Sequence, residues 1–258
     1  MKDLTVIVPL HEYNESVGKL LERAIESFNA TDIDNDTELL FIGPKTIIKL
    51  LKEKYDGDNR VFVENEKTDF CTQINTAVEK CKKYFSILEY DDVYTSNWFK
   101  NVKEYLAEDE NISIFLPLTE IVKFGKENEP IGYVNEAALA VSFCEKLGYL
   151  DLEALLNYMN FNTTGGVFKT SDFIDVGKLK PTIKLTFWYE FLLRSVRNDK
   201  KIYVIPKVGY IHTLDRENSL SEKYNKNMKP EEAEFWIELA QKDYLFNKTR
   251  DMSHYIYE

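Results

Sequence analysis

Glu89-Tyr90-Asp91-Asp92 sets three carboxylates almost side by side. Charges that close repel one another, so the cluster needs compensation. Mg²⁺ or Mn²⁺ is the natural counter-ion, because both prefer oxygen ligands. A cation held there could also bind a diphosphate and neutralise the charge that grows as it leaves. The competing reading is an acidic turn that only faces water. The position favours the cation, since the cluster follows Tyr84 to Leu88, an apolar run with the pattern of a buried strand.

The elements that must position this cluster alternate. Leu4 to Pro9 reads as a strand buried on both faces. Val17, Leu20, Leu21, Ala24, Ile25 and Phe28 then recur at helical spacing, with Asn14 and Ser16 as candidate caps. Glu38 to Ile42 is a second strand, stopped by Gly43-Pro44, and Ile47 to Tyr55 a second helix. Arg60 to Glu64 is a third strand. Phe70, Ile74, Ala77, Val78 and Cys81 mark a third helix that Thr68 or Asp69 could cap. Trp98 to Leu106 is helical. Beyond Asn111 the pattern is mixed. Short strands are expected at Ile112–Leu118, Ile121–Phe124, Ile131–Val134, Val167–Phe168, Ile202–Ile205 and Val208–Ile211. Helices are expected around Ala137–Leu147, Leu152–Tyr158 and Leu185–Arg197, and a last one opens at Pro230. The fold class is therefore α/β, a mostly parallel Rossmann-like sheet flanked by helices, with a mixed second half and a C-terminal helix. In such sheets ligands sit at the carboxyl ends of the strands, so the loops after Pro9, Ile42, Glu64 and Leu88 should line one crevice.

Four segments carry a resemblance in their order and spacing. They are Val6-Ile7-Val8-Pro9 with Tyr13-Asn14-Glu15, Asn65-Glu66-Lys67 with Asn75, Tyr84 to Asp92, and Gly165-Gly166-Val167-Phe168. Together they resemble the family-2 glycosyltransferases of GT-A fold, over roughly residues 4 to 215. The resemblance implies transfer of a sugar from a nucleoside diphosphate, a UDP-sugar being favoured, to an acceptor that no motif names. It implies Pro9, Glu15, Asn65, Asn75, Glu89 and Asp91 as nucleotide-sugar-binding residues, and Asp91, Asp92 and His212 as ligands of Mn²⁺ or Mg²⁺. Glu89 stands where the family usually has aspartate. It also implies one GT-A-like domain over 1–258. Residues 1–110 would be the nucleotide-sugar half, 111–215 the acceptor side, and 216–258 a lid and helical extension. Lys207, Arg216 and the Ser219 loop could reach the diphosphate.

Two departures stand out. The family often reads the base with an aspartate after its second strand, where this chain has Gly43-Pro44-Lys45. An inverting member also needs a base to take the acceptor's proton. The family's acid pair falls on Phe187 and Trp188, which leaves Glu190 as the candidate catalytic base. The same Glu190 could instead form an i,i+4 ion pair with Arg194. Asp151, Asp172 and Asp175 are further acids nearby, and a base-free retaining route is open. Trp98, Trp188 and Tyr189 could stack on an acceptor sugar, with the core as the competing place for Trp98.

The composition fits an enzyme of this kind. The chain has 258 residues, 44% hydrophobic and 30% charged, enough for a sizeable core. A net charge of -11 disfavours general nucleic-acid binding. No apolar stretch approaches roughly 20 residues, so no membrane span is expected. Cys71, Cys81 and Cys144 are an odd count without metal-type spacing. They read as buried thiols of a reducing, cytoplasmic compartment. No Walker loop, spaced-glycine dinucleotide motif, His-Glu-x-x-His or Gly-x-Ser-x-Gly is present. On the family resemblance, an active metal-dependent glycosyltransferase is expected. The alternative is a GT-A-like binding or structural protein without catalysis, and a nucleotidyltransferase comes third.

Overall fold

In the computed structural model the described residues are 3–31, 33–34, 36–57, 59–124, 130–134, 146–214 and 228–245. The first half alternates as expected. It runs β1 (Leu4–Pro9), α1 (Glu15–Asn29), β2 (Glu38–Gly43), α2 (Lys45–Tyr55), β3 (Arg60–Glu64), α3 (Phe70–Val78) and β4 (Tyr84–Ile87). Then follow β5 (Val93–Tyr94), α4 (Trp98–Glu108), β6 (Ile112–Phe124), β7 (Pro130–Val134), β8 (Tyr149–Leu150) and α5 (Leu152–Asn157). The rest is β9 (Val167–Lys169), α6 (Thr170–Asp175), α7 (Phe187–Arg197), β10 (Lys201–Leu214) and α8 (Pro230–Leu245).

One sheet joins all ten strands in the order β3-β2-β1-β4-β9-β6-β10-β5, with β7 on β6 and β8 on β10. The pairs β1–β2, β1–β4, β2–β3 and β6–β10 are parallel and carry most of the paired residues. Side chains alternate across a strand, and each face of this sheet meets helices. Ile7, Leu40, Ile42, Phe85 and Ile87 pack with Ile74 and Ala77 of α3 and Phe191 and Leu192 of α7. Their neighbours Val6, Val8, Leu39, Phe41 and Leu88 pack on Val17, Leu21 and Phe28 of α1, Ile48 of α2, and Trp98 of α4. Full burial of each such side chain is worth about 1.5–3 kcal/mol. Trp98 is wholly buried, so it belongs to the core.

Local chemistry sets the boundaries. The Asn14 side chain accepts from Val17 N at 3.0 Å and opens α1, and Asp69 does the same for Thr72 N at 2.8 Å in α3. The second half differs from expectation in several places. The expected strands at Ile112–Leu118 and Ile121–Phe124 are one strand, β6, and those at Ile202–Ile205 and Val208–Ile211 are one strand, β10. The interruption near Pro206 is a shift of register against β6 between Ile205 and Val208, since proline cannot donate to a ladder. The helix expected from Leu185 begins at Phe187, because Leu185 has φ +58°. Of the helix expected around Ala137–Leu147, only Lys146 and Leu147 are described, and they lie in a bend and a turn. Burial pushes the Cys71 thiol up to about 12 and also raises that of Cys81, so both stay protonated. Cys144 lies outside the described residues.

Gly165 shows how the second half closes on the first. Its φ is +75°, and a Cβ there would meet the Tyr210 ring at 2.3 Å. Its carbonyl accepts from Trp98 Nε1 at 2.8 Å, while its N–H donates to Ile87 O at 3.0 Å. Gly165→Ala combines left-handed strain of about 1–2 kcal/mol with overpacking of about 1–3 kcal/mol. Urea denaturation should show a midpoint lowered accordingly, and an unchanged midpoint would mean that the loop relaxes freely.

Candidate active site

The order of β1 and β4 reverses the direction in which the sheet grows, and ligands favour the crevice at such a point. The acidic turn lies there, just past β4. The Asp92 N–H donates to Glu89 O at 3.1 Å, which closes the turn. Asp91 is 8% exposed and Asp92 0%.

A two-residue strand gives this turn its partner. β5 follows the turn and pairs antiparallel with β10, Ile211 opposite Val93. One step further along each strand, His212 therefore meets Asp92. His212 Nδ1 lies 2.9 Å from Asp92 Oδ2, and Thr213 N donates to Asp92 Oδ1 at 2.8 Å. Thr213 Oγ1 donates to the Asp91 carbonyl at 2.7 Å. Tyr210 Oη accepts from Glu89 N at 3.1 Å. Burial alone would lower the His212 pKa, but the charge and hydrogen bond of Asp92, then Glu89 and Asp91, lift it to about 9. Without a cation nearby the ring is thus an imidazolium at neutral pH.

The donor loop reaches the same place. Leu10 N donates to Ile42 O at 2.8 Å, and Leu10 O accepts from the buried Gln73 Nε2 at 3.0 Å. Tyr90 Oη donates to Glu12 Oε1 at 3.0 Å, tying the loop after Pro9 to the acidic turn. Leu10 also explains the absent acid after β2. A Cβ on Gly43 would stand 2.6 Å from Leu10 O, so no side chain fits there.

Other expected residues are employed differently. Glu15 is exposed in the first turn of α1 and pairs with Lys19 at 2.8 Å. Asn65 shapes its own loop, accepting from Lys67 N at 3.0 Å and donating to Thr76 Oγ1 at 3.0 Å. Both amide atoms of Asn75 clamp Leu179, donating to its carbonyl at 2.8 Å and accepting from its N–H at 3.0 Å. Lys207 reaches Asn101 of α4 at 3.4 Å. Arg216 and the Ser219 loop lie outside the described residues.

Asp92, expected as a direct metal ligand, is fully buried, and each carboxylate oxygen is engaged from β10. Among the described residues no three of His, Cys, Asp and Glu form a metal-holding group. Glu190, expected as the candidate base, is engaged as well. It is 1% exposed, and Arg194 binds it twice, Nε to Oε1 and Nη2 to Oε2, both at 2.8 Å. Lys180 Nζ lies 2.7 Å from Oε1. Arg194 and Lys180 between them thus occupy both of its oxygens. The other acids have work too. Asp172 accepts from Ser113 at 2.8 Å, Asp175 pairs with Lys200 at 2.7 Å, and Asp151 caps α5 through Ala154 N at 2.7 Å. Phe187 and Trp188 join an aromatic cluster, Trp188 stacking on Phe168 with centroids 5.4 Å apart. Tyr189 is buried and donates to Leu155 O at 2.9 Å.

No family model and no curated protein matches the chain. Solved structures match over nearly its whole length. S. aureus TarS 1-349 in complex with UDP-GlcNAc is 15% identical, with a TM-score of 0.69 over 98% of this chain and 69% of that one. The chain has a GT-A glycosyltransferase fold. A longer TarS structure gives 14% identity and a TM-score of 0.67 over 98% of this chain, which spans 41% of it. Mannosyltransferase PcManGT from Pyrobaculum calidifontis, in complex with GDP-Man and Mn²⁺, is 13% identical, with a TM-score of 0.63 over 87% of this chain and 60% of that one. On this GT-A fold, sequence reasoning missed Arg23, Thr213 and Tyr210, which hold the acidic turn. The missing signal was β5, whose two residues carry no periodicity. No described helix is long and apolar enough to cross a membrane.

Proposed function

We propose that this chain is a glycosyltransferase that moves a sugar from a nucleoside-diphosphate sugar, a UDP-sugar being favoured, to an acceptor that no motif names. The observation that carries the reading is the acidic turn from Glu89 to Asp92 just past β4, with His212 held against it at 2.9 Å from Asp92. The GT-A neighbours support it, since their structures hold UDP-GlcNAc or GDP-Man. In the transfer, the bond from the anomeric carbon to the diphosphate oxygen breaks, a bond to the acceptor oxygen forms, and the acceptor's proton passes to the leaving diphosphate or to a base on the acceptor side.

A divalent cation belongs to the same proposal, and PcManGT was solved with Mn²⁺. The donors suit it. Asp91 offers a carboxylate, and His212 offers Nε2, the ring nitrogen that Asp92 does not use. An imidazole oriented by a carboxylate through its other nitrogen is a common metal-binding arrangement. With these two protein donors among the described residues, diphosphate oxygens would supply further ligands, as they do in many Mg²⁺ sites. Once bound, such a cation would neutralise charge on the leaving diphosphate. Asp92 orients His212, Glu89 faces the donor, and the Leu10 to Glu12 loop covers the site's edge.

One observation favours a second reading, a nucleotide-sugar-binding protein without transfer. Aromatic rings occupy the acid-pair position, and Glu190 is spent on Arg194 and Lys180. Calorimetric titration with UDP, GDP and their sugar conjugates, in Mn²⁺ and in chelator, tests the donor site. Metal-dependent binding of one nucleotide is the expected result. Sugar release from the bound donor, followed by chromatography, then separates transferase from binding protein. No binding by folded protein would overturn both readings.

A further inference from the structure

Arg23 lies on α1, which begins directly after the donor loop. Its Nη2 donates to the Asp91 carbonyl at 2.5 Å and lies 3.5 Å from Thr213 Oγ1. The carbonyl therefore accepts from two donors, one on α1 and one on β10. Ser27 stands one helical turn later on the same face of α1. Its Oγ accepts from Tyr94 N at 3.1 Å. One stripe of α1 thus grips the stretch from Asp91 to Tyr94 at both ends. The Arg23 Nε is buried and has no hydrogen-bond partner, so the side chain reaches that carbonyl although one of its own donors goes unsatisfied. Leaving a buried donor unmade costs free energy, which makes packing convenience a poor account of this placement. Thr213, the second donor to that carbonyl, also donates its N–H to Asp92 Oδ1 at 2.8 Å.

We propose that Arg23 is a positioning residue for the metal and diphosphate site. It fixes the Asp91 backbone so that the carboxylate presents to the cation, and it joins the donor-loop helix to the acidic turn and to the end of β10. The inference rests on the reading of Asp91 as a cation ligand. Arginine suits the task because its planar fork can address two oxygens at once, whereas lysine has one ammonium.

The experiment is calorimetric titration of UDP and GDP into wild-type protein, Arg23→Gln, Arg23→Lys, Thr213→Val and Ser27→Ala, each in Mn²⁺ and in chelator. Arg23→Gln should lose about tenfold in affinity in Mn²⁺, in line with the effect of removing a residue that orients a metal ligand, while its affinity in chelator stays near wild type. Arg23→Lys should lie between the two. Thr213→Val should lose in the same direction, and its loss should not add fully to that of Arg23→Gln, because both hold one carbonyl. Ser27→Ala loosens the same helix contact without touching Asp91, so it should melt lower yet keep its Mn²⁺-dependent affinity. Equal affinity in Mn²⁺ for Arg23→Gln and wild type would overturn the inference. So would an equal loss in Ser27→Ala, which would mean general loosening. Should Arg23→Gln not fold, wild-type affinity in both Arg23→Lys and Thr213→Val would overturn it just as well. Wild-type protein whose nucleotide affinity ignores Mn²⁺ would remove the underlying metal reading, a result distinct from the others.

Discussion

Asp91→Asn should weaken UDP or GDP binding in Mn²⁺ at least about tenfold and lower turnover about 10²–10³-fold, while binding in chelator barely changes. The substitution is a clean one for this site. Arg23 and Thr213 hold the Asp91 carbonyl, not its carboxylate, so the shape of the turn survives. Asparagine keeps the size of the side chain and removes only its charge. What is lost is a carboxylate charge, which on the metal reading attracts the cation and, through it, the diphosphate, and which also helps to raise the His212 pKa. The check is calorimetry in both conditions, with sugar release measured beside it. Equal affinity of the two proteins in Mn²⁺ would sink the metal role of Asp91.

Arg194→Met should be the most damaging single change to stability, lowering it by about 3–5 kcal/mol. It would take its bidentate partner from the Glu190 carboxylate, which is 1% exposed, while the remaining pair with Lys180 is to a side chain 40% exposed. Water screens that second pair, so it compensates poorly. Arg194 also donates to the carbonyls of Val176 and Lys178, and these would lose their partner. Denaturant titration measures the loss. Glu190→Gln separates stability from catalysis. With Glu190 as an ion-pair residue, Gln lowers stability and leaves kcat of the folded protein near wild type. A base would instead show a fall of about 10²–10⁴ in kcat, with little effect on the melt. That outcome would restore Glu190 to the catalytic role that the sequence suggested for it.

These two residues show where the sequence is informative. It could place Asp91 because its signal is local: a buried strand, then acids, at the end of a strand–helix alternation. The same holds for the first half of the sheet. Apolar spacing, the Gly43-Pro44 stop and the Asp69 cap act within a few residues, and local propensity and capping decide elements at that range. The resemblance in four ordered segments went further and pointed to the GT-A fold.

Glu190 was ambiguous for the opposite reason. A carboxylate four positions before an arginine on a helix can face a substrate or its own neighbour. Burial, together with Lys180 and the carbonyls around Arg194, decided between them, and these depend on how the segment from Val176 to Lys180 folds back. Asn75 is similar, since its amide meets Leu179, 104 positions away. The site itself depends on a pairing of the same kind. His212 reaches Asp92 across 120 positions only because β5 and β10 pair in one register, and a slip by one residue would turn His212 to the other face. Arg23 finds the Asp91 carbonyl through the packing of α1 on that strand. The sequence by itself determined the first-half elements, the acidic turn and the face each helix buries, because those follow from neighbours along the chain. Only the tertiary structure decided which distant residues hold the turn and which carboxylates are already spent, because strand register and helix docking place them.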